Sequence, residues 1–258
     1  MDRFTDIPKD ILELILYETD PKDIDTFCQI NDRINNLCKD NKVIHNYFIH
    51  HNLFIDGPYE SFLEKIINSK STILTNYLIR WVNYNNFGDR YTYSIIYYLI
   101  KNKEISDIDI FNHIKLLIEI FNVKLNDPII FKVTDGSVRY KRKQLIQLLQ
   151  QADLFDYKAA LNYSINYYKY DEFVDTINYM LENNIKISNP IISLIFNQML
   201  IYPDPRYIQF LLNIDDPTFK SQLEEHLPKF KANLGSLIKN PYFTSESDPY
   251  KIMFDLLQ

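Results

Sequence analysis

A short apolar stretch that recurs between residues 114 and 212 decides the fold. Its first copy reads Ile114-Lys115-Leu116-Leu117-Ile118-Glu119, and similar text surrounds the later doublets Leu148-Leu149, Met180-Leu181 and Leu211-Leu212. The final leucines of the four doublets are separated by 32, 32 and 31 residues. Apolar residues at this spacing predict a helix around each doublet, and the nearly constant period predicts a repeated structural unit.

The period resembles that of ankyrin repeats, which pair two antiparallel helices in units of about 33 residues. The resemblance implies that each doublet lies on the second helix of a pair, and first helices are expected over 160–168 and 191–201. The Thr-Pro-Leu-His opening of ankyrin repeats is absent, so residues 88–216 are interpreted as a degenerate ankyrin-like array. Another solenoid of helical hairpins is the alternative. A solenoid predicts equivalent buried positions for Leu117, Leu149, Leu181 and Leu212.

The stretch between the first two doublets differs from the rest. Residues 129–140 are rich in strand-forming side chains and contain the pair Asp135-Gly136. An Asp-Gly pair favours the two-residue turn of a β-hairpin. We therefore expect one short β-hairpin here, with Val133 opposite Val138.

The amino-terminal segment is more apolar than one buried helix face requires. Pro8 suits the first turn of a helix, and apolar residues at positions 11, 12, 14, 15 and 16 cover most of the helix circumference. Thr19-Asp20-Pro21 predicts the end of this helix. Either a partner or another part of the chain must cover the excess apolar surface.

This segment resembles an F-box, a three-helix motif that docks on the small adaptor subunit of cullin-RING ubiquitin ligases. Ile7-Pro8 matches the opening pair of that family, whereas Ile34 replaces the usual aromatic residue and Val43-Ile44 replaces the closing Leu-Trp pair. A helical cap on the following domain is the alternative. The resemblance implies these adaptor-binding residues: Ile7, Pro8, Ile11, Leu12, Ile15, Ile24, Phe27, Ile30 and Arg33.

The overall composition favours a folded, all-α protein. Of 258 residues, 46% are hydrophobic, 15% are aromatic and only four are glycine, which disfavours a sandwich, a barrel or a phosphate-binding glycine loop. Helices are expected over 59–68, 71–84, 218–226 and 229–239, with a last short helix after Pro249. The predicted domains are an F-box-like domain (1–50), a helical linker (51–87), the ankyrin-like repeats (88–216) and a helical carboxy-terminal cap (217–258).

Composition also bears on partners and location. A net charge of −6 disfavours nucleic acid, and no apolar run reaches the ~18 residues that a membrane span needs. Cys28 and Cys38 are expected to be reduced core residues of a cytoplasmic protein. The combination of an F-box with repeats is similar to proteins of large DNA viruses, which implies the host cell cytoplasm.

No pattern predicts catalysis, a cofactor or a metal site. His45, His50 and His51 lack zinc-ligand spacing and are expected at the surface. Two tyrosine-rich stretches, 91–98 and 163–170, are expected to divide between core packing and a contact surface. One basic cluster is a possible target-binding site, with a solvated edge as the alternative: Arg139, Lys141, Arg142 and Lys143.

These patterns together predict a non-catalytic, substrate-recognition adaptor. It would dock on a cullin-RING ubiquitin ligase through the F-box-like segment and bind an unknown target protein through its repeats. The alternative is a helical-repeat scaffold or binding protein with no role in ubiquitin ligation.

Overall fold

The computed structural model describes residues 6–53, 59–85, 89–124, 127–239 and 248–258, without the side chains of residues 59–61, 89 and 90. All regular structure in these ranges is helical, which confirms the all-α prediction. The chain divides into two compact units, residues 1–155 and 156–258. The predicted repeat region, 88–216, therefore lies partly in each unit.

In the residues that the structure describes, the first unit combines a small amino-terminal group of helices with three helical hairpins. Helices α5, α7 and α9 pack side by side in one layer, α6, α8 and α10 pack in a second, and α2 and α4 contact α6. The helices are α1 (Lys9–Tyr17), α2 (Ile24–Cys28), α3 (Asp32–Cys38), α4 (Asn41–His50), α5 (Tyr59–Asn68), α6 (Thr72–Tyr84), α7 (Asp89–Lys101), α8 (Asp107–Phe121), α9 (Pro128–Arg139) and α10 (Lys143–Gln151).

The second unit repeats the two-layer arrangement with six helices in its described residues. Helices α11, α13 and α15 form one layer, and α12, α14 and α16 form the other. Its core includes Phe173 against Tyr207, with ring centroids 4.9 Å apart, and Phe196 stacked on Phe230 at 4.4 Å. The helices are α11 (Tyr157–Asn166), α12 (Tyr170–Glu182), α13 (Asn189–Ile201), α14 (Pro205–Asn213), α15 (Pro217–Leu237) and α16 (Pro249–Asp255).

The predicted β-hairpin over 129–140 is wrong, because these residues form α9. The Asp127 carboxylate accepts a hydrogen bond from the Ile129 N–H at 2.9 Å, and Pro128 occupies the first turn. An Asp-Pro pair is a helix start signal, and here it prevails over the Asp135-Gly136 turn signal. Gly136 allows close packing instead, since a Cβ built on it would lie 3.1 Å from Ile100 of α7.

The remaining helix predictions succeed in part. The expected helices over 59–68 and 71–84 are confirmed as α5 and α6, and α16 confirms the short helix after Pro249. The expected break between 226 and 229 is wrong, because α15 continues through Pro228. Proline removes one backbone hydrogen bond, yet apolar residues on both sides of it, including Leu223 and Phe230, are buried in the same core. The expected loop 241–249 lies mostly outside the described residues.

The four leucines are not equally buried. Leu117 and Leu149 are fully buried, as predicted for a solenoid. In the second unit, Leu181 and Leu212 are only partly buried, whereas the preceding residues Met180 and Leu211 are each 1% exposed. The prediction of equivalent burial is therefore right in the first unit and wrong by one residue in the second.

The two cysteines are paired rather than reduced. Cys28 ends α2, Cys38 ends α3, and a disulfide joins them across a Cα–Cα distance of 6.0 Å. Packing of α2 against α3 brings the two buried side chains together. The expectation of free thiols is therefore wrong.

Candidate functional site

Helix α1 carries two apolar stripes with different environments. Leu12 and Leu16 are buried in the first unit, whereas Ile11 is 42% and Leu14 is 58% exposed. Ile7 and Ile15 are partly exposed and Pro8 is exposed. Positions three and four apart lie on one helix face. We call the outward-facing set the α1 patch: Ile7, Pro8, Ile11, Leu14 and Ile15.

Hydrogen bonds from α4 hold the end of α1 in place. The Tyr47 hydroxyl donates to the Thr19 carbonyl at 2.7 Å, and His51 Nε2 lies 2.8 Å from the Tyr17 carbonyl oxygen. Burial raises the pKa of Tyr47 and lowers the pKa of His51. Because α1 is fixed through its inner side, the α1 patch is displayed on an ordered helix.

The other predicted adaptor-binding residues divide into two groups. Leu12 and Ile24 are 1% and 0% exposed, and Phe27 is 9% exposed, so these three support the segment from inside. Ile30 is 45% exposed and Arg33 is exposed, so both lie at the surface. Sequence reasoning missed Leu14 as a surface residue, although its spacing from Ile11 gave the signal.

Asp25 ties the amino-terminal helices to the hairpins. Its carboxylate accepts hydrogen bonds from the Ser71 hydroxyl and from the backbone N–H groups of Thr72 at 2.6 Å and Ile73 at 3.3 Å. These N–H groups belong to the first turn of α6, which has no helical acceptor for them. The positive end of the α6 dipole adds to the stabilisation of the carboxylate there.

Arg142, predicted as a target-binding residue, holds two helical hairpins together. Its side chain donates to the carbonyls of Ile100 at 2.9 Å, Asn102, and Ile105 at 3.2 Å, all at or beyond the end of α7. It also donates to Asp107 Oδ1 at 3.0 Å, and only 11% of its side chain is exposed. The guanidinium is therefore occupied with carbonyls of the last turn of α7 and of the turn that follows it.

The rest of the predicted basic cluster stays at the surface. Lys141 and Lys143 are exposed, and Arg139 forms an ion pair with Asp135 at 3.3 Å. Lys141 has a left-handed backbone, with φ of 53°, and turns the chain between α9 and α10. This turn therefore disperses the cluster. Arg139 is the member of the cluster that lines a groove.

That groove, of about 710 Å³, is lined by residues of α5, α7 and α9. We call it the tyrosine groove. Tyr93, Tyr97, Tyr98 and Tyr140 contribute aromatic surface, and the cations are Lys101, Lys132 and Arg139. Two carboxylates, Glu64 and Asp135, also line it.

Tyr97 is the central ring of this groove. Its centroid lies 5.3 Å from Tyr98 and 6.1 Å from Tyr140, and Lys101 Nζ lies 5.3 Å from the same centroid. A hydrogen bond with Tyr140, together with Lys101 and Arg139, lowers the pKa of Tyr97. Burial raises the pKa of the Asp135 carboxyl. Such a combination of rigid rings and cations suits contact with a polypeptide segment.

The histidines at positions 45, 50 and 51 were expected at the surface, but His45 is partly enclosed. His45 Nδ1 is hydrogen-bonded to the Tyr77 hydroxyl at 2.8 Å, and both groups are partly enclosed. Within the described ranges, no group of three or more His, Cys, Asp or Glu side chains could hold a metal ion. Among the same residues, no helix is both long enough and apolar enough to cross a membrane.

Comparisons of the chain with family models, curated proteins and solved structures find no match. The α1 patch and the tyrosine groove are therefore the features of this molecule that bear on its function.

Proposed function

We propose that this protein is a non-catalytic adaptor that docks on a cullin-RING ubiquitin ligase and recruits a target protein. The F-box-like segment would bind the small adaptor subunit of the ligase. The ankyrin-like helical hairpins of the first unit would present the target-binding surface. In this proposal the protein works in the cytoplasm, as the resemblance to viral F-box and repeat proteins implies, although a disulfide such as Cys28–Cys38 is uncommon in that compartment.

The observation that carries the proposal is the α1 patch. A helix with one buried apolar stripe needs polar residues on its other side to remain soluble. Here Ile11 and Leu14 are 42% and 58% exposed on that other side. An ordered apolar helix face of this kind supports a docking surface for another protein.

The tyrosine groove supports the second half of the proposal. Tyrosine and arginine are enriched where binding energy concentrates in protein interfaces. Tyr97 is 41% exposed, so its ring is accessible to a bound segment. Arg139, predicted as a target-binding residue, lies at the same place.

Titration with the isolated adaptor subunit tests the docking step. Ile11→Asp combined with Leu14→Asp should weaken adaptor binding at least about a thousandfold, because each apolar anchor contributes about 2–4 kcal/mol. Both side chains are substantially exposed, so circular dichroism should show nearly unchanged thermal unfolding.

Ile201→Asp is the matched control, since this isoleucine is 60% exposed but lies in the second unit. It should leave adaptor affinity unchanged. Absence of measurable affinity in the unmodified protein would refute the ligase role.

Proximity labelling in cells tests the target-binding step separately. Tyr97→Ala with Lys132→Gln should remove target proteins from the labelled set but retain the adaptor subunit. Tyr167→Ala with Lys158→Gln is the matched change on the second unit, where Tyr167 is 54% exposed. If the groove variant and this control label the same proteins, the tyrosine groove is not the target site.

A scaffold without ligase function is the second candidate, and one observation favours it. Leu12, Ile24 and Phe27 are buried and Asp25 caps α6, so the amino-terminal helices also serve as the end cap of the hairpin stack. A protein that folds normally and has no affinity for the ligase adaptor would support this scaffold.

A further inference from the structure

A second cleft in the first unit has no part in the proposed adaptor function. It has a volume of about 590 Å³ and lies between the start of α4 and the second half of α6. No carboxylate lies among its described lining residues. We call it the α4–α6 cleft. Its size is within the usual range for pockets that bind small molecules.

One side of the α4–α6 cleft is aromatic. Trp81 and Tyr84 are three residues apart on α6 and so share one face of this helix. Phe62 supports Trp81 edge to face, with ring centroids 6.2 Å apart, whereas Tyr84 is 85% exposed. Exposed rings held on a helix form a surface on which a flat ligand can stack.

Two cations lie beside these rings. Lys42 is at the start of α4 and Arg80 is on α6, and both side chains are exposed. In the described part of the chain, neither lies within ion-pair distance of a carboxylate. The nearby Asp40 carboxylate accepts from the Lys42 backbone N–H at 2.9 Å and pairs with Lys9 at 3.7 Å. The positive charges of Lys42 and Arg80 are therefore available to an anion.

Besides the two cations, the polar groups of the cleft are asparagine amides, the phenols of Tyr77 and Tyr84 and the His45 imidazole. Asn41, Asn83 and Asn85 line it, and one N–H of Asn85 donates to the Trp81 carbonyl at 2.8 Å. Burial raises the pKa of Tyr77 to about 12, so its hydroxyl stays neutral beside His45. Amide side chains offer both donors and acceptors, which the edge of a nucleobase requires.

We propose that the α4–α6 cleft binds a mononucleotide. The base would stack on the rings of Trp81 and Tyr84 and bond to the asparagine amides, while Lys42 and Arg80 would hold the phosphate. A simple anion would leave the aromatic face unused. The net charge of −6 opposes a polynucleotide, whose many phosphates would be repelled, so a single nucleotide fits better.

The chain carries its own reporter, because Trp81 is its only tryptophan. Nucleoside monophosphates and diphosphates are titrated into the full-length protein while tryptophan fluorescence is followed. Saturable quenching at submillimolar concentration is the expected result. Ribose 5-phosphate, which lacks the base, and free nucleosides, which lack the phosphate, should each bind at least about tenfold more weakly.

Single substitutions test which side chains contact the phosphate and which contact the base. Arg80→Gln and Lys42→Gln should each weaken nucleotide binding about tenfold and leave nucleoside binding unchanged, because a charge-assisted bond to phosphate is lost. Tyr84→Ala should weaken the binding of both nucleotides and nucleosides. Lys103→Gln removes an exposed cation elsewhere in the same unit and should change neither. All four side chains are exposed, so the fold should be retained.

Three results would overturn the proposal. The first is the absence of saturable quenching with every nucleotide tested. The second is ribose 5-phosphate binding as tightly as nucleotides, which would mean an anion site only. The third is unchanged nucleotide affinity in both Arg80→Gln and Lys42→Gln. None of these results depends on binding to the ligase adaptor.

Discussion

Helices α8 of the first unit and α12 of the second bury side chains at the same positions counted from their first residues. Leu117 follows the start of α8 by ten residues, and Met180 follows the start of α12 by ten. Likewise, Leu149 and Leu211 each lie six residues after the starts of α10 and α14. The four matched positions of α8 and α12 are Ile110 and Phe173, His113 and Thr176, Ile114 and Ile177, Leu117 and Met180.

This comparison shows what sets the buried face. The leucine doublets have nearly constant spacing, yet the buried member changes from the second residue to the first between the units. In both units, however, the buried residues lie at the same distance in sequence from the first residue of their helix. Where a helix begins therefore predicts burial better than the position of the repeated doublet.

The two units also differ in the contacts that stabilise the turn, or corner, before corresponding helices, α10 in the first unit and α14 in the second. In the first unit, Arg142 precedes α10 and donates to carbonyls at the end of α7. In the second unit, Asp204 precedes α14, accepts from the Arg206 N–H at 3.0 Å and pairs with the Arg206 guanidinium. The first corner links two hairpins, whereas the second caps its own helix.

The largest expected effect tests the shared register. Leu117→Ala and Met180→Ala should each lower the free energy of unfolding by about 3 kcal/mol, because a buried side chain leaves a cavity. Leu116→Ala and Leu181→Ala, at partly buried positions, should cost about 1 kcal/mol. Urea unfolding with hydrogen exchange measured by mass spectrometry would follow each unit. Equal costs at Met180 and Leu181 would break the comparison.

The next prediction concerns the two corners. Arg142→Met should destabilise the first unit by about 3 kcal/mol, since it removes the guanidinium that bonds to Asp107 and to three backbone carbonyls. Asp204→Ala removes a helix cap and the carboxylate that pairs with the mostly exposed Arg206, and it should destabilise the second unit by about 1 kcal/mol. Tryptophan fluorescence during urea unfolding reports the first unit through Trp81. Lys143→Met is the control for Arg142, and a similar loss there would count against the corner contacts.

Acid should lower the stability of the first unit more than that of the second, because His113 of α8 has Thr176 as its counterpart in α12. His113 Nδ1 donates a hydrogen bond to Asn76 Oδ1 at 2.9 Å, and burial lowers the pKa of His113 from 6.5 to about 4, although Asp109 and Asp25 oppose the shift. The unfolded chain therefore binds more protons, so stability is present at neutral pH and falls as pH drops from 6.5 towards 4.

Between pH 7 and pH 5 the first unit should lose about 2 kcal/mol through His113. Urea midpoints at these two pH values measure the loss. His113→Thr should make the first unit less sensitive to acid, whatever its effect on stability at neutral pH. An unchanged difference between the midpoints would show that another group causes the acid response.

The smallest effect concerns the left-handed residues that follow helices in both units. Asp153, after α10, has φ of 55°, and Asn184, after α12, has φ of 53°. Glycine has no Cβ to strain this conformation, so Asp153→Gly should stabilise the first unit by about 0.5–1 kcal/mol. Asn184→Gly should stabilise the second unit less, because asparagine tolerates the conformation. Ala152→Gly, at φ of −95°, should be destabilising when measured by thermal unfolding.

Local sequence signals predicted most of the helices. They did not show which structure forms where two signals disagree or where packing decides. The bounds of α5 and α6 follow from apolar periodicity, and Asp-Pro pairs mark the starts of α9, α14, α15 and α16. At α9 two local signals competed, and burial of Ile130 and Val133 in the hairpin core favoured the helix. The pairing of Cys28 with Cys38 depends on the packing of α2 against α3, which no short pattern predicts.

The candidate surfaces were only partly predictable for the same reason. The excess apolar surface of α1 is a local property and was found from the sequence. The structural contacts of Arg142 were not predicted because its acceptors are about forty residues earlier in the chain. The α4–α6 cleft was missed because Lys42 and Trp81 come from separate helices with no shared motif.

The bonds from Asp25 to the start of α6 have a consequence for modularity. A fragment that begins at residue 51 would lose the carboxylate that caps α6, together with Phe48, whose ring packs 4.8 Å from that of Tyr77. The first fifty residues are therefore not an interchangeable cassette. Any segment that replaces these residues, whether built in the laboratory or acquired by recombination, would have to bring its own acidic cap for α6.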